Sequence, residues 1–82
     1  MADEKTVTTL VAMSRGHTGT VVDIHAGRAL RARLDSLGIR PGKRIVKLSN
    51  MLMHGPVMVE VDRAQVAVGY GIARRIVVRL SE

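Results

Sequence analysis

Helical periodicity is confined to one stretch of this 82-residue sequence, which narrows the folds that the chain can adopt. Leu30, Leu34 and Leu37 recur at the spacing of a single helix face, which predicts a helix over residues 27–37. Gly38 follows directly, as expected where a helix ends in a left-handed residue. The sequence therefore indicates a mainly β protein with one α-helix.

Short β-branched runs and turn signals occupy the remainder of the chain. Pro41-Gly42 suits the centre of a type II turn after the helix. Val57, Val59 and Val61 alternate with more polar residues, which is typical of a strand with one buried face. A short helical turn is expected near residues 70–73. Several short strands in so short a chain favour a small barrel.

The composition supports one aliphatic core and excludes several kinds of site. Aromatic residues make up 1% of the chain, with Tyr70 alone, and cysteine is absent. Disulfides, thiolate metal sites and cysteine nucleophiles are thereby ruled out. We expect a single domain over residues 1–82, with residues 1–6 flexible. The polar N-terminus lacks the apolar core of a signal peptide, so a cytoplasmic protein without membrane insertion is expected.

Positive charge is unevenly distributed along the chain. Thirteen Lys and Arg face seven Asp and Glu, giving a net charge of +6. Seven of the cations lie between Arg28 and Lys47, against the single acid Asp35. Such a face attracts nucleic acid, anionic lipid or an acidic protein surface, although net charge also serves solubility. Proteins that bind single-stranded nucleic acid usually stack the bases on aromatic side chains, and this chain has only Tyr70. Nucleic-acid binding through the basic face is therefore the alternative hypothesis and not the leading one.

Catalytic and metal-binding patterns are weak. His17, His25 and His54 share no ligand spacing, and the best local pair is Asp23 with His25 on one side of a strand. No cofactor is expected, and direct carriage of a divalent metal ion by the three histidines is a third hypothesis. Gly69-Tyr70-Gly71 lacks the third glycine of a dinucleotide motif. We therefore predict a binding protein and not an enzyme.

The loop over residues 50–56 carries three consecutive large apolar residues, Met51-Leu52-Met53, and such residues in a loop often mark a docking surface. The alternative is that they close one end of the barrel. An exposed loop of this kind would also suit self-association into a homo-oligomer. The predicted partner-binding residues are Arg28, Arg31 and Arg33 on the helix, and Met51, Leu52 and Met53 in the loop.

An ordered series of motifs resembles the ferrous iron transport protein A (FeoA) family. The stretch RALRARLDSLGIRPGKRI, from Arg28 to Ile45, is similar to the central signature of that family. The segment that begins Gly55-Pro56-Val57 resembles its second strand pair, and Val66 to Gly69 resembles its closing part. The similarity extends over roughly residues 8–80.

The resemblance implies an SH3-like barrel with a helix inserted after the first strand. It also implies a cytosolic accessory of FeoB, the ferrous iron permease with a cytoplasmic GTPase domain, whose transport it would modulate. Activation, inhibition and assembly of the permease are equally compatible with the sequence. Lys47 departs from the family pattern, which commonly has an apolar residue at that strand position, and leaves the inward face of the strand undecided.

Overall fold

The computed structural model describes residues 6–49 and 53–81. In chain order, its elements are β1 (Val7–Thr9), β2 (Thr18–Ile24), α1 (Arg28–Ser36), β3 (Arg44–Lys47), β4 (Val57–Val61), β5 (Ala64–Val68), α2 (Tyr70–Ala73) and β6 (Ile76–Leu80). These strands form one antiparallel sheet in the order β1-β6-β2-β3-β4-β5. The mainly β class is confirmed, with one longer helix inside residues 27–37 and a short one at 70–73.

The first strand lies earlier than the sequence predicted. The sequence indicates only a short apolar lead-in over residues 7–13, but Val7–Thr9 pair with β6, Val7 opposite Arg79. The helix consequently follows the second strand and not the first. Just before β1, the carbonyl oxygen of Thr6 accepts a hydrogen bond from the N–H of Leu80 at 2.8 Å. Residues 1–5 of the segment predicted to be flexible lie outside the described residues.

The core is aliphatic and lies beneath the sheet and α1. Period-two burial is clearest in β4, where Val57, Val59 and Val61 are all buried. Burying a side chain of this kind contributes about 1.5–3 kcal/mol, so a chain this small depends on each one. The other buried apolar residues are Leu10, Met13, Val21, Ile24, Leu34, Ile39, Ile45, Val68, Ala73, Ile76 and Val78.

A β-bulge changes which residues of β2 face the core. The register against β6 shifts between Val21 and Asp23, so that Val21 lies opposite Val78 and Ile24 opposite Ile76. Residues three apart on a regular strand point to opposite faces, but the extra residue brings both Val21 and Ile24 inside. The bulge therefore sets Ile24 in the wall that α1 covers.

The C-terminus of α1 is closed by backbone hydrogen bonds. The N–H of Ile39 donates to the carbonyl oxygen of Leu34, and the N–H of Gly38 donates to that of Asp35, both at 2.9 Å. Gly38 has φ of +90°, the left-handed conformation that this Schellman arrangement needs. The motif turns the chain so that Ile39, with no exposed surface, packs into the core next to Leu34.

Lys47 points inward, which decides the face of β3 that the sequence left open. Its side chain is buried, and the Nζ donates to the carbonyl oxygens of Val11 at 2.9 Å and Met13 at 2.6 Å. Burial removes water from the ammonium group and thereby lowers the pKa of Lys47 from its ordinary 10.5. Through these two hydrogen bonds, Lys47 links the segment between β1 and β2 to β3, a central strand of the sheet.

Candidate docking surfaces

Most of α1 faces outward. Of its nine residues, Leu34 is the one that the fold buries. Two grooves flank the helix on opposite sides, and each uses a set of helix positions spaced by three and four residues. A helix that contributes so little to the core offers much of its surface to a partner.

The larger groove, called the basic groove below, has a volume of about 460 Å³. It lies between α1, the end of β2 and the turn that leads into β3. Its floor is apolar and its rim carries guanidinium groups. The floor and turn residues are Ile24, Ile39 and Pro41, and the arginines of the rim are Arg28, Arg31 and Arg40.

Local bonds hold parts of this rim in place. The Nη1 of Arg31 donates to the carbonyl oxygen of Ile24 at 2.7 Å, so the guanidinium is fixed across the groove wall. The Nη1 of Arg40 lies 3.1 Å from Oδ1 of Asp35, a half-exposed ion pair. Such an exposed pair contributes little to stability, about 0–1 kcal/mol, but it positions Arg40 at one end of the groove.

The smaller groove, called the apolar groove below, has a volume of about 110 Å³. It lies between the opposite face of α1 and the segment from β5 to α2. Leu30, Leu34 and Leu37 line it from the helix and Ile72 from α2, with Arg33 at its edge. The leucine stripe that predicted the helix is therefore only partly core, because Leu37 is 50% exposed.

The loop before β4 carries the most exposed large apolar side chain of the described residues. Met53 is 93% exposed, and the next residue, His54, stacks on Tyr70 with ring centroids 4.4 Å apart. Because Tyr70 begins α2, the stack holds this part of the loop beside that short helix. Met51 and Leu52, the other two predicted loop contacts, lie outside the described residues.

The predicted arginine contacts do not share one surface. Arg28 and Arg31 line the basic groove, whereas Arg33 borders the apolar groove on the other side of α1. All three side chains are exposed. The sequence analysis did not single out Ile24, Ile39, Arg40 or Pro41 as lining a site. One usable signal was the grouping of Arg28, Arg31 and Asp35 on one helix face.

The remaining cations of the basic segment are dispersed. Lys43 pairs with Asp62 at 2.8 Å, and Lys47 is enclosed in the core. Arg44 begins β3, opposite Thr20 of β2. The seven Lys and Arg residues between positions 28 and 47 thus do not form one continuous basic face.

The three histidines are separate in the structure. The Nε2 of His25 lies 3.1 Å from Oδ2 of Asp23, so the predicted pair is in contact, although β2 ends at Ile24 and His25 follows the strand. His17 is exposed in the turn before β2, and His54 is in the stack described above. Among residues 6–49 and 53–81, no three His, Cys, Asp or Glu side chains are grouped so as to hold a metal ion. Direct iron carriage stays a hypothesis without a ligand set.

Neither helix of the described chain combines the length and the apolar character needed to cross a membrane. The longer of the two, α1, has nine residues and carries three arginines.

Comparisons with protein families and solved structures support the mainly β fold described above. The FeoA domain family matches residues 8–80. A crystal structure of an iron uptake regulatory protein (FeoA) is 37% identical, with a TM-score of 0.83, and the match covers 93% of this chain and 99% of that one. A FeoA protein from Chlorobium tepidum, 23% identical over 92% of this chain and 71% of its own, has the same fold with a TM-score of 0.83.

A manganese-dependent transcriptional repressor contains a similar unit. It is 29% identical with a TM-score of 0.82, and the match covers 94% of this chain but 43% of the repressor. A search of curated proteins finds no significant match.

The six-stranded sheet of the described residues, with its helix exposed between two grooves, defines a small SH3-like domain. The chain belongs to the FeoA family.

Proposed function

We propose that this protein docks on the cytoplasmic part of the ferrous iron permease FeoB and modulates iron uptake. Membership of the FeoA family implies involvement in ferrous iron transport. The family consists of small accessory domains and is not a known enzyme family, which supports a binding role for this chain. The proposal places the protein in the cytoplasm, where that part of the permease is found.

The observation that carries the proposal is the outward position of α1. A helix of nine residues that buries Leu34 alone adds little to the core. Its exposed arginines and the grooves beside it are the kind of surface at which proteins bind, since arginine is enriched in interfaces. The exposed Met53 offers a further apolar contact.

A pull-down with the purified FeoB cytoplasmic domain tests the docking proposal. We expect the wild-type chain to retain that domain at about 150 mM salt, near physiological ionic strength. The variant Met51→Ser/Met53→Ser tests the loop, and Met58→Ser, a half-buried methionine of β4, is its matched control. Equal retention of FeoB by the loop variant and the wild type would remove the loop from the interface. No retention by any form would reject the proposal.

Nucleic-acid binding is the alternative that the charge suggests. Dispersal of the basic segment, with Lys47 buried and Lys43 paired, counts against a continuous phosphate-binding face. A salt titration against duplex and single-stranded DNA and RNA separates the two functions. Tight binding that falls steeply with salt would favour the alternative, because contacts with phosphates release counterions.

A further inference from the structure

We propose that the basic groove binds a short acidic segment of a partner protein, with carboxylates on Arg28 and Arg31 and an apolar side chain on Ala32 and Pro41. This inference deepens the docking function proposed above and rests on it. It assigns the contact to one groove and gives the chemistry of the segment that fills it.

The size and floor of the groove suit a side chain with its flanking backbone. Its volume of about 460 Å³ falls within the roughly 300–1,000 Å³ of ordinary ligand sites. Ile24 and Ile39 are buried by the fold and support the groove from inside, whereas Ala32 and Pro41 are exposed and present apolar surface to a ligand. An aliphatic side chain placed there would cover Ala32 and Pro41 and remove their apolar surface from water.

The charge at one end of the groove is available to a partner. Ion pairs among residues 6–49 and 53–81 involve Asp23, Asp35 and Asp62, and none of them includes Arg28 or Arg31. The bond from Arg31 to a backbone carbonyl uses one of the five N–H donors of the guanidinium and fixes its plane. A guanidinium held in this way can donate two parallel hydrogen bonds to a carboxylate with its remaining N–H groups.

Asp35 gives the groove a direction. It lies seven residues after Arg28 on α1, which corresponds to a distance of about 10 Å along the helix axis. Arg40 is already engaged by Asp35, so that end of the groove carries little net charge. A bound segment is therefore expected to direct its acids toward Arg28 and its apolar residue toward Pro41. A uniformly acidic peptide would meet repulsion from Asp35.

A carboxylate partner fits this arrangement better than a nucleic acid. A phosphate backbone has no aliphatic side chain to cover the floor, and stacking of its bases would need an aromatic platform. None of the residues that line the groove is aromatic. Displacement of the acidic peptide by a single-stranded oligonucleotide is accordingly an outcome that would overturn the proposal.

Amide chemical shifts of the full chain, titrated with short peptides, test the proposal. The probe is acetyl-Gly-Glu-Glu-Leu-Gly-amide, and the matched peptides replace Leu with Ser or both Glu with Gln. We expect saturable shifts of Ile24, Ala32 and Ile39 with the probe, and affinity at least about tenfold weaker for either matched peptide. Equal affinity for the Leu and Ser peptides, no binding at millimolar concentration, or shifts confined to the apolar groove would overturn it.

Two charge reversals on the same helix provide the protein controls. Arg28→Glu should weaken binding of the probe about tenfold or more, because it places a like charge beside the carboxylates. Glutamate suits the first turn of a helix, so the fold should be retained. Arg33→Glu makes the same change in net charge on the other side of α1 and should alter affinity less than about twofold. Equal losses of affinity in both variants would mean that the probe binds by nonspecific charge attraction. That result would overturn the assignment of binding to the basic groove.

The two proposals fail in different ways. If FeoB is retained equally by wild type and Arg28→Glu while the probe does not bind, the basic groove is not the binding site, and the docking function stands. If the probe binds as expected while no FeoB is retained, the groove stands and its partner is another acidic protein.

Discussion

The two faces of α1 differ in size, charge and in what fills them. On one face, arginines surround an apolar floor in a groove of about 460 Å³. On the other, leucines and Ile72 of α2 leave about 110 Å³, too little for more than a small part of a ligand. The same nine residues therefore produce one surface that is largely filled by the protein's own α2 and another that remains open.

The two faces are shaped by different features of the chain. Leucine contacts on the apolar side attach α1 to β5 and α2, whereas the basic side owes its shape to backbone features at the ends of the helix. These features are the bulge of β2, the left-handed Gly38 and the turn at Pro41. Changes on the two faces should accordingly have different consequences.

The largest effect is expected at the floor of the basic groove. Ile39→Ala should lower the free energy of unfolding by about 2–5 kcal/mol, because it leaves a cavity where a fully buried side chain packs. Urea denaturation measures the loss. Leu37→Ala, a truncation of a half-exposed side chain on the other face, should cost less than about 1 kcal/mol. Similar losses of unfolding free energy for the two variants would contradict the different burial of Ile39 and Leu37 on the two faces of α1.

Lys47 tests whether a cation of the basic segment acts through stability. Lys47→Met leaves two backbone carbonyls without their donor, a cost of about 1–3 kcal/mol. Because the pKa of Lys47 is lowered on folding, the unfolded chain binds more protons between that pKa and 10.5. The stability of the wild type relative to the variant should therefore rise with pH across this window.

Thermal or urea unfolding at several pH values up to about pH 10 measures this difference, and the other titrating groups largely cancel between the two proteins. A relative stability that falls as pH rises through the window would contradict the lowered pKa. In either case, binding of the acidic probe peptide should change little, since the ammonium group does not line the basic groove.

An effect of similar size to that of Lys47→Met is expected at the end of α1. Gly38→Ala should cost about 1–3 kcal/mol, because a side chain is strained at φ of +90°. The added Cβ would also lie 3.0 Å from Cγ1 of Val61, closer than ordinary packing allows. Gly42→Ala, also at positive φ but with no atom near its Cβ, separates backbone strain from the contact. A cost for Gly42→Ala as large as that for Gly38→Ala would assign the effect to strain alone.

The smallest effect on stability should come from Leu37→Ser. Its side chain is half exposed, so the free energy of unfolding should change by about 0.5 kcal/mol or less. Retention of the FeoB cytoplasmic domain should also be unchanged. A marked loss of retention with the fold intact would transfer the interface to the apolar groove.

Local signals were enough to predict much of the fold. The helix, its stop at Gly38, the turn at Pro41-Gly42 and the alternating valines of β4 each depend on neighbours within a few residues. The features that shape the surfaces depend on distant partners. The β2 bulge exists only against β6, and the buried Lys47 donates hydrogen bonds to carbonyl oxygens 34 and 36 residues earlier in the chain.

The candidate surface was predicted less completely for the same reason. The sequence analysis grouped Arg33 with Arg28 and Arg31 by charge, although helical periodicity places Arg33 on a different side of the helix, as the two grooves show. Ile24 joins the groove through the bulge, and Arg40 joins it through the helix end. Neither relation has a signature in the local sequence.

The most direct test of the account is to map the FeoB cytoplasmic domain onto this chain by amide chemical shifts of the labelled protein. We predict that shifts and line broadening on addition of that domain concentrate at Ile24, Ala32 and Ile39. Arg28→Glu should abolish them and Arg33→Glu should retain them. Perturbations centred on Leu37 and Ile72, or unchanged in Arg28→Glu, would contradict docking through the basic groove.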